Sequence, residues 1–132
     1  MLELGCGLGV PSLVAARAGA SVLATDSDPD ALDLLRRNAA LNDTELETAR
    51  VDWTAPADLL DRAPFDLVHA ADVIYERDSV APLLELLPRL APEAWIADPG
   101  RAHASTFLAR AASEWRITAA TRGVVRIHRL RT

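Results

Sequence analysis

Lysine is absent from this 132-residue sequence, and cysteine occurs only once. The lone thiol of Cys6 cannot form an internal disulfide or a zinc cluster, and a reduced cysteine fits a cytoplasmic location. All 14 basic residues are arginines, and the 19 acidic residues leave a net charge of −5. With only three tryptophans, two phenylalanines and one tyrosine, the sequence offers no basic face with interleaved aromatic rings. We therefore expect no nucleic-acid partner.

Long apolar runs are also missing from the sequence. No segment approaches the roughly 18 apolar residues that a membrane-spanning helix needs, so we expect no membrane association. The first residues, Met1 to Gly5, lack the basic lead and apolar core of a signal peptide. Half of the residues are apolar and a quarter are charged, which is a globular composition. A chain of this length closes one hydrophobic core, and we expect a single domain over residues 1–132.

Short apolar runs alternate with segments of helical period, which is the pattern of repeated βαβ units. Strands are predicted at Leu2–Leu4, Ser21–Thr25, Glu47–Asp52, Asp66–Ala71 and Trp95–Asp98. Helices are predicted at Val10–Ala18, Pro29–Leu41, Ala57–Arg62, Ser79–Leu90 and His103–Glu114. The tail alternates apolar and polar residues on both sides of Arg122-Gly123, which indicates an antiparallel hairpin. The predicted fold class is α/β, a three-layer, Rossmann-like, doubly wound and mostly parallel sheet with this C-terminal hairpin.

Three glycines, Gly5, Gly7 and Gly9, lie between the first predicted strand and the first helix. Glycine there lets backbone approach a ligand closely, with N–H groups pointing at it. The dinucleotide fingerprint would need a glycine at position 10, where this chain has Val10. The loop instead suits an adenosyl group with an amino-acid tail, whose ammonium favours a carboxylate such as that of Glu3. The alternative is a tight glycine turn without a ligand.

Two carboxylates follow the second predicted strand. Asp26 lies 21 positions after Gly5, a spacing that suits a carboxylate accepting hydrogen bonds from ribose hydroxyls. Asp28 precedes Pro29 and is predicted to cap the next helix, which leaves Asp26 for the ribose. Within the glycine loop, Cys6 has no basic neighbour in sequence to lower its pKa, so it is interpreted as a small filler rather than a nucleophile.

Glu3, Gly5, Gly7 and Gly9 match the motif E/D-x-G-x-G-x-G, and the chain resembles the class I S-adenosylmethionine-dependent methyltransferases. The resemblance implies S-adenosylmethionine as the cofactor, with Asp52 accepting from the adenine amino group and Trp53 covering the ring. Packing of Trp53 into the core is the alternative for that residue. The implied cofactor-binding set is Glu3, Gly5, Cys6, Gly7, Gly9, Asp26, Ser27, Asp52, Trp53 and Ala71.

A second motif, Asp72-x-x-Tyr75, follows the fourth predicted strand. Together with Val51-Asp52-Trp53 it resembles the protein-lysine methyltransferases of methyltransferase family 16. The segment Asp98-Pro99-Gly100-Arg101 is similar to one in the lysine methyltransferases of the electron transfer flavoprotein beta subunit and their bacterial relatives. The resemblance implies that Asp72 and Tyr75 are catalytic and orient the acceptor.

Several of these positions have a second interpretation. Asp72 could cap a turn and Tyr75 could pack its ring into the core. Arg101 either binds an acidic substrate group or pairs with a neighbouring carboxylate. His69 is interpreted as a core or edge histidine, and no metal ligand set is proposed.

The resemblance implies a protein-lysine N-methyltransferase. The alternatives are a non-catalytic module that binds a cofactor or a partner, and a methyltransferase acting on a small-molecule amine. Because the sequence starts inside the first predicted strand, we expect the usual N-terminal helical segment to be missing from one face of the fourth and fifth strands. Val68 and Ile96 would then lie in an exposed apolar patch, and the chain would either form a homodimer through this uncovered face or be unstable.

Overall fold

The structure, a computed structural model, describes residues 1–132 and contains seven strands and five α-helices. The strands are β1 (Leu2–Leu4), β2 (Leu23–Asp26), β3 (Glu47–Arg50), β4 (Val68–Ala71), β5 (Glu93–Asp98), β6 (Arg116–Arg122) and β7 (Val125–Arg131). The helices are α1 (Val10–Arg17), α2 (Pro29–Leu41), α3 (Ala57–Leu60), α4 (Val80–Leu90) and α5 (Ala104–Ala111), with a 3-10 turn at Arg77–Ser79. None of these helices is long and apolar enough to cross a membrane.

The seven strands form one sheet in the order β3-β2-β1-β4-β5-β7-β6. β1 to β5 run parallel, whereas β7 pairs antiparallel with both β5 and β6. The strand order reverses between β1 and β4, and in open α/β sheets ligands bind beyond the carboxyl ends of the strands at such a reversal. The predicted doubly wound sheet with a C-terminal hairpin is confirmed.

Apolar side chains pack on both faces of the sheet. The main cluster joins β1, β4 and β5 to α4 and α5, with Leu83 and Phe107 fully buried in it. A smaller cluster packs α1 and α2 against β2 through Leu13, Leu32 and Leu35. The sheet is therefore the middle of three layers, with its carboxyl ends free for a site.

The predicted cap of α2 is confirmed, and a glycine ends α1. The Asp28 carboxylate accepts a hydrogen bond from the Asp30 N–H at 2.9 Å, so it caps α2. Gly19 follows the end of α1 with a φ of 92°, a left-handed conformation that favours glycine.

Several predicted boundaries differ from the structure. The hairpin turn falls at Gly123-Val124 instead of Arg122-Gly123, because Arg122 still pairs with Val125 across the two strands. β5 begins earlier than predicted, at Glu93, which pairs with Arg131 of the last strand. β2 extends through Asp26, whose backbone pairs with Arg50. The differences in β5 and β2 reflect strand pairing that is distant in sequence, whereas the position of the hairpin turn reflects local pairing.

The prediction that Val68 and Ile96 lie in an exposed apolar patch is wrong. Both side chains are buried, at 0% and 1% exposure, in the main cluster. The opposite face of these strands carries Trp95, which is 38% exposed. There Glu93 accepts hydrogen bonds from the indole of Trp95 and from Arg129 and Arg131. Strand alternation directs the large apolar side chains toward α4 and α5 and leaves a polar network on the other face.

Candidate functional site

A cavity of about 480 Å³ lies at the carboxyl ends of the central strands. Eight of the predicted site residues line it, namely Gly5, Gly7, Asp26, Ser27, Asp52, Trp53, Asp72 and Tyr75. The lining contains five carboxylates, those of Asp26, Asp52, Asp72, Glu76 and Asp78, and no basic residue. The cavity is therefore strongly acidic and favours a cationic ligand.

The glycine loop forms one wall of this cavity. Gly5 and Gly7 adopt φ angles of 64° and 49°, in the left-handed region that side chains disfavour. A Cβ on Gly5 would lie 2.9 Å from Val73, whereas a Cβ on Gly7 would meet nothing within 4 Å. Gly5 is thus needed for close packing, and Gly7 leaves space in front of the loop.

Gly9 and Cys6 belong to the predicted cofactor set but do not line the cavity. A Cβ on Gly9 would lie 2.0 Å from Leu35, so this glycine allows α2 to pack against the loop. Cys6 is buried in the smaller cluster, and desolvation, with the nearby charges of Asp26 and Glu3, raises the pKa of its thiol to about 12. The interpretation of Cys6 as a filler fits this burial, since a protonated thiol is a poor nucleophile.

Glu3 and Ala71 also lie outside the cavity lining. The Glu3 carboxylate is 1% exposed and accepts hydrogen bonds from the backbone N–H and the hydroxyl of Ser12 in α1. Its other oxygen lies 3.5 Å from Nδ1 of His69, which has no hydrogen-bond partner. In this structure Glu3 ties α1 to the sheet, so its expected position beside a ligand ammonium is not observed.

Asp26 connects the glycine loop to the second strand. One of its carboxylate oxygens accepts from the Gly7 N–H at 2.9 Å, and the other accepts from the Asp28 N–H at 3.0 Å. A carboxylate has about four acceptor positions, so Asp26 keeps capacity for ligand hydroxyls. It therefore fixes the loop and still faces the cavity.

Asp52 and Trp53 form the wall that follows β3. The backbone N–H and the hydroxyl of Thr54 both donate to Asp52, and these bonds hold the pKa of that carboxyl below its usual range. Trp53 packs partly against the main cluster, and its ring lies 3.5 Å from where a Gly5 Cβ would be. The indole of Trp53 both contacts the core and lines the cavity, so core packing is observed and the role over the adenine ring stays a prediction.

Asp72 follows β4 with a φ of 55° and forms a bidentate pair with Arg101, at 2.7 and 2.6 Å. The Arg101 guanidinium holds the pKa of Asp72 below its usual range. Tyr75 is 59% exposed at the rim of the cavity, so the interpretation of a core-packed ring is wrong. Of the two interpretations of Arg101, the structure selects the pair with a neighbouring carboxylate.

Sequence reasoning missed three acidic residues of the site. Glu76 and Asp78 line the cavity just beyond the Asp72-x-x-Tyr75 motif, and the run of charges there was the available signal. Asp98 is 6% exposed and accepts from the backbone N–H groups of Gly100 and Arg101. It thereby shapes the loop that brings Arg101 to Asp72. No group of three or more histidine, cysteine or acidic residues is arranged to hold a metal ion.

Comparison with known proteins identifies relatives of this chain. Protein N-lysine methyltransferase METTL21A of Danio rerio is 33% identical over 95 residues, which cover 68% of this chain and 43% of that protein. Histone-arginine methyltransferase METTL23 of Mus musculus is 31% identical over 88 residues, which cover 64% of this chain and 35% of that protein. The matched region is less than half the length of these curated relatives.

The fold has a counterpart among solved structures. A ribosomal protein L11 methylase from Lactobacillus delbrueckii subsp. bulgaricus superposes with a TM-score of 0.80 at 21% identity, over 98% of this chain and 67% of that chain. A family model described as lysine methyltransferase matches residues 1–97, which include the glycine loop and the Asp72-x-x-Tyr75 motif. The chain therefore belongs to the lysine methyltransferase family.

Proposed function

We propose that this chain transfers a methyl group from S-adenosylmethionine to a side-chain nitrogen of a protein acceptor, with lysine as the acceptor residue. The observation that carries the proposal is the acidic cavity at the glycine loop, which has five carboxylates and no basic residue. Both reactants are cationic before transfer, because the cofactor contains a sulfonium and lysine contains an ammonium. The negative potential of the carboxylates favours binding of both the cofactor and the lysine side chain.

The residues around the cavity fit the cofactor. Gly7 has open space in front of it, Asp26 retains acceptor capacity for ribose hydroxyls, and the Trp53 ring offers an apolar surface for adenine. Asp52 and Ser27 supply further hydrogen-bond acceptors among the residues that line the cavity. When bound, S-adenosylmethionine supplies a methyl group activated by the sulfonium and a neutral leaving group.

Asp72 and Tyr75 are proposed to bind and orient the acceptor. A lysine amine attacks only after it loses a proton. The carboxylates of the cavity raise the pKa of the bound ammonium, whereas the cofactor sulfonium and partial burial lower it and so promote loss of the proton to solvent. The Asp72 carboxylate and the Tyr75 hydroxyl border the cavity and can accept hydrogen bonds from the amine. In this scheme the protein mainly positions the acceptor and excludes water.

An arginine acceptor is the second candidate. The bidentate pair between Asp72 and Arg101 demonstrates that this carboxylate accepts a guanidinium in fork geometry. Arginine is also the residue named for the relative METTL23. A small-molecule amine would meet the same acidic cavity, whereas a non-catalytic binding module would bind its ligand without turnover.

Two measurements test the proposal. Calorimetric titration should detect binding of S-adenosylmethionine, and the absence of binding would remove the enzyme hypothesis. Labelled cofactor should then methylate a protein fraction instead of the metabolite pool, and hydrolysis should release methyl-lysine instead of methyl-arginine. In the Asp72→Asn variant, turnover should fall by roughly tenfold or more while cofactor affinity is unchanged.

Three expectations about partners and location remain predictions. Self-association as a homodimer through the open face at Trp95 would raise the mass found by light scattering, and Trp95→Glu should reverse it. Exclusion of nucleic acid predicts no shift of RNA or DNA in gels at physiological salt. A cytoplasmic location predicts recovery in the soluble fraction after cell disruption.

A further inference from the structure

A second cavity, of about 730 Å³, lies beside the first between α4 and α5. The side chains of Arg77, His103, Thr106 and Arg110 line it, and Asp78 lines both cavities. The second cavity, called the basic cavity below, presents two guanidiniums and an imidazole together with the Asp78 carboxylate that it shares with the acidic cavity. No part of the methyl-transfer proposal uses this basic cavity.

The arrangement of α5 explains why these groups share one cavity. His103, Thr106 and Arg110 follow the spacing i, i+3 and i+7, which places them on one stripe of the helix. The neighbouring stripe, Ala104, Phe107 and Ala111, is buried in the core. Core packing therefore fixes the helix so that its polar stripe faces the 3-10 turn that carries Arg77.

The two guanidiniums have no partner within the chain. Neither Arg77 nor Arg110 forms a salt bridge or donates a side-chain hydrogen bond, although Arg101 nearby is paired with Asp72. Two unpaired arginines in one concavity form a site for a carboxylate, which a planar guanidinium binds in bidentate geometry.

We propose that the basic cavity binds an aspartate or glutamate of the acceptor polypeptide, a few residues from the residue that is methylated. The inference rests on the proposed function, because it places the methylated cation in the acidic cavity. An acceptor segment with one positive and one negative side chain would match the two adjoining cavities in charge. The basic cavity would then select among acceptor sequences without taking part in methyl transfer.

A peptide with one positive and one negative side chain fits these charges better than RNA does. Every nucleotide of a nucleic-acid strand carries a phosphate, so a strand that runs through both adjoining cavities would also bring phosphates into the acidic cavity. The carboxylates that line only that cavity, those of Asp26, Asp52, Asp72 and Glu76, would repel it there. A peptide can place a single carboxylate in the basic cavity.

Synthetic peptides test the proposal directly. One series has a single central lysine in an uncharged host, with aspartate scanned through the four positions on each side, and a matched series has asparagine instead. A second pair of series has arginine at the centre. At one or two positions aspartate should lower KM about fivefold with kcat unchanged, which is the scale of an exposed charge pair. Fluorescence anisotropy of the same peptides, labelled with a dye and titrated with protein in the presence of S-adenosylhomocysteine, compares their binding affinities without turnover.

Variants separate this site from a general charge effect. The double variant Arg77→Gln/Arg110→Gln should lose the aspartate preference, and Arg77→Glu/Arg110→Glu should prefer a basic residue at that position. Arg37→Gln, an exposed arginine outside both cavities, should keep the preference. Unchanged affinity for S-adenosylhomocysteine and an unchanged circular dichroism spectrum would establish that the variants are folded.

The outcomes distinguish this inference from the proposed function. Equal binding of the aspartate and asparagine peptides, or a preference that survives in the double variant, would overturn the basic cavity as a carboxylate site. RNA that displaces the aspartate peptide and needs both arginines would replace the peptide with a nucleic acid. Peptides that bind with the expected preference but are never methylated would support this site and count against methyl transfer.

Discussion

Arg101 donates two parallel hydrogen bonds to Asp72, from Nε to Oδ1 at 2.7 Å and from Nη2 to Oδ2 at 2.6 Å. The two residues come from loops after adjacent parallel strands, β4 and β5, and Asp98 holds the second loop in place. Both side chains remain nearly half exposed, at 47% and 45%. The pair therefore sets the direction of the Asp72 carboxylate at the rim of the cavity and contributes little to stability.

Replacement of Arg101 should change the ionisation of Asp72. In Arg101→Ala the pKa of the Asp72 carboxyl should rise, because its hydrogen-bonded cation is lost. Arg101→Lys should restore part of the shift, since lysine supplies charge without the planar fork. Carbon-detected NMR titration of the Asp72 side chain measures both effects.

The same pair gives a pH dependence whose sign is fixed. Because the folded-state pKa of Asp72 is depressed, its contribution to stability is present above the unfolded value, about 3.9, and is lost as the pH falls through the folded value. Arg101→Ala should therefore match the parent in acid and be slightly less stable near neutrality. An Asp72 pKa that stays low in Arg101→Ala would contradict the assignment.

The fold could be predicted from the sequence because the signals that determine it are local. Glycines at a strand end, the cap at Asp28 and alternating apolar runs each depend on a few neighbouring residues. Partners distant in sequence were not accessible. No spacing rule predicts that Arg101 reaches Asp72, which depends on the pairing of β4 with β5, or that Ser12 binds Glu3, which depends on the packing of α1 against β1.

The sequence also did not predict which side chains of β4 and β5 point toward α4 and α5. Val68 and Ile96 alternate with His69 and Trp95, but which set meets α4 and α5 depends on the register of the whole sheet. Short strands in a parallel sheet are often buried on both faces, and this expectation led to the wrong apolar patch. The glycine motif likewise did not predict the different roles of its members, because it does not distinguish Gly7, which lines the cavity, from Gly9, which packs beneath α2.

Asp26 and Asp28 should separate cofactor binding from helix capping. Asp26→Ala removes the acceptor of the Gly7 N–H and the proposed partner of the ribose, and affinity for S-adenosylmethionine should fall about tenfold or more. Asp28→Ala removes only the cap of α2 and should cost about 1 kcal/mol of stability with affinity kept. Calorimetry and urea unfolding of both variants make the comparison. Equal losses of affinity would mean that the Asp26 effect is structural.

Alanine substitutions at Gly7 and Gly9 should also give opposite results. Gly9→Ala places its Cβ against buried Leu35 and should cost about 2–4 kcal/mol, the sum of a left-handed alanine and overpacking. Gly7→Ala meets no neighbour and should cost about 1–2 kcal/mol for its positive φ alone. Gly7→Ala should nevertheless weaken cofactor binding even under conditions where the variant is fully folded. Binding equal to that of the parent would count against the loop as the cofactor site.

The Cys6 thiol should make the protein less stable in mild alkali. Its pKa is raised to about 12 in the folded chain, whereas an unfolded cysteine titrates near ~8.5. Between these values the folded state holds one more proton than the unfolded state, so stability falls as the pH rises above about 8.5. From pH 8.5 to pH 10 the loss is about 1.5 kcal/mol, because the unfolded thiol is only half ionised at pH 8.5 and the full slope of about 1.4 kcal/mol per pH unit is reached only above pH 9. Below about pH 7.5 the thiol contributes no pH dependence.

Urea unfolding at pH 7, 8.5 and 10, with a reductant present, measures this loss. The sequence suits the experiment, because it contains no lysine to titrate near pH 10. Cys6→Ala should abolish most of the decline, although the smaller side chain lowers stability at every pH. The parent thiol should also resist alkylation by iodoacetamide at pH 8 until urea unfolds the chain. A decline of equal slope in Cys6→Ala, or rapid alkylation of the native protein, would place the thiol in a solvated position instead of the buried cluster beneath α2.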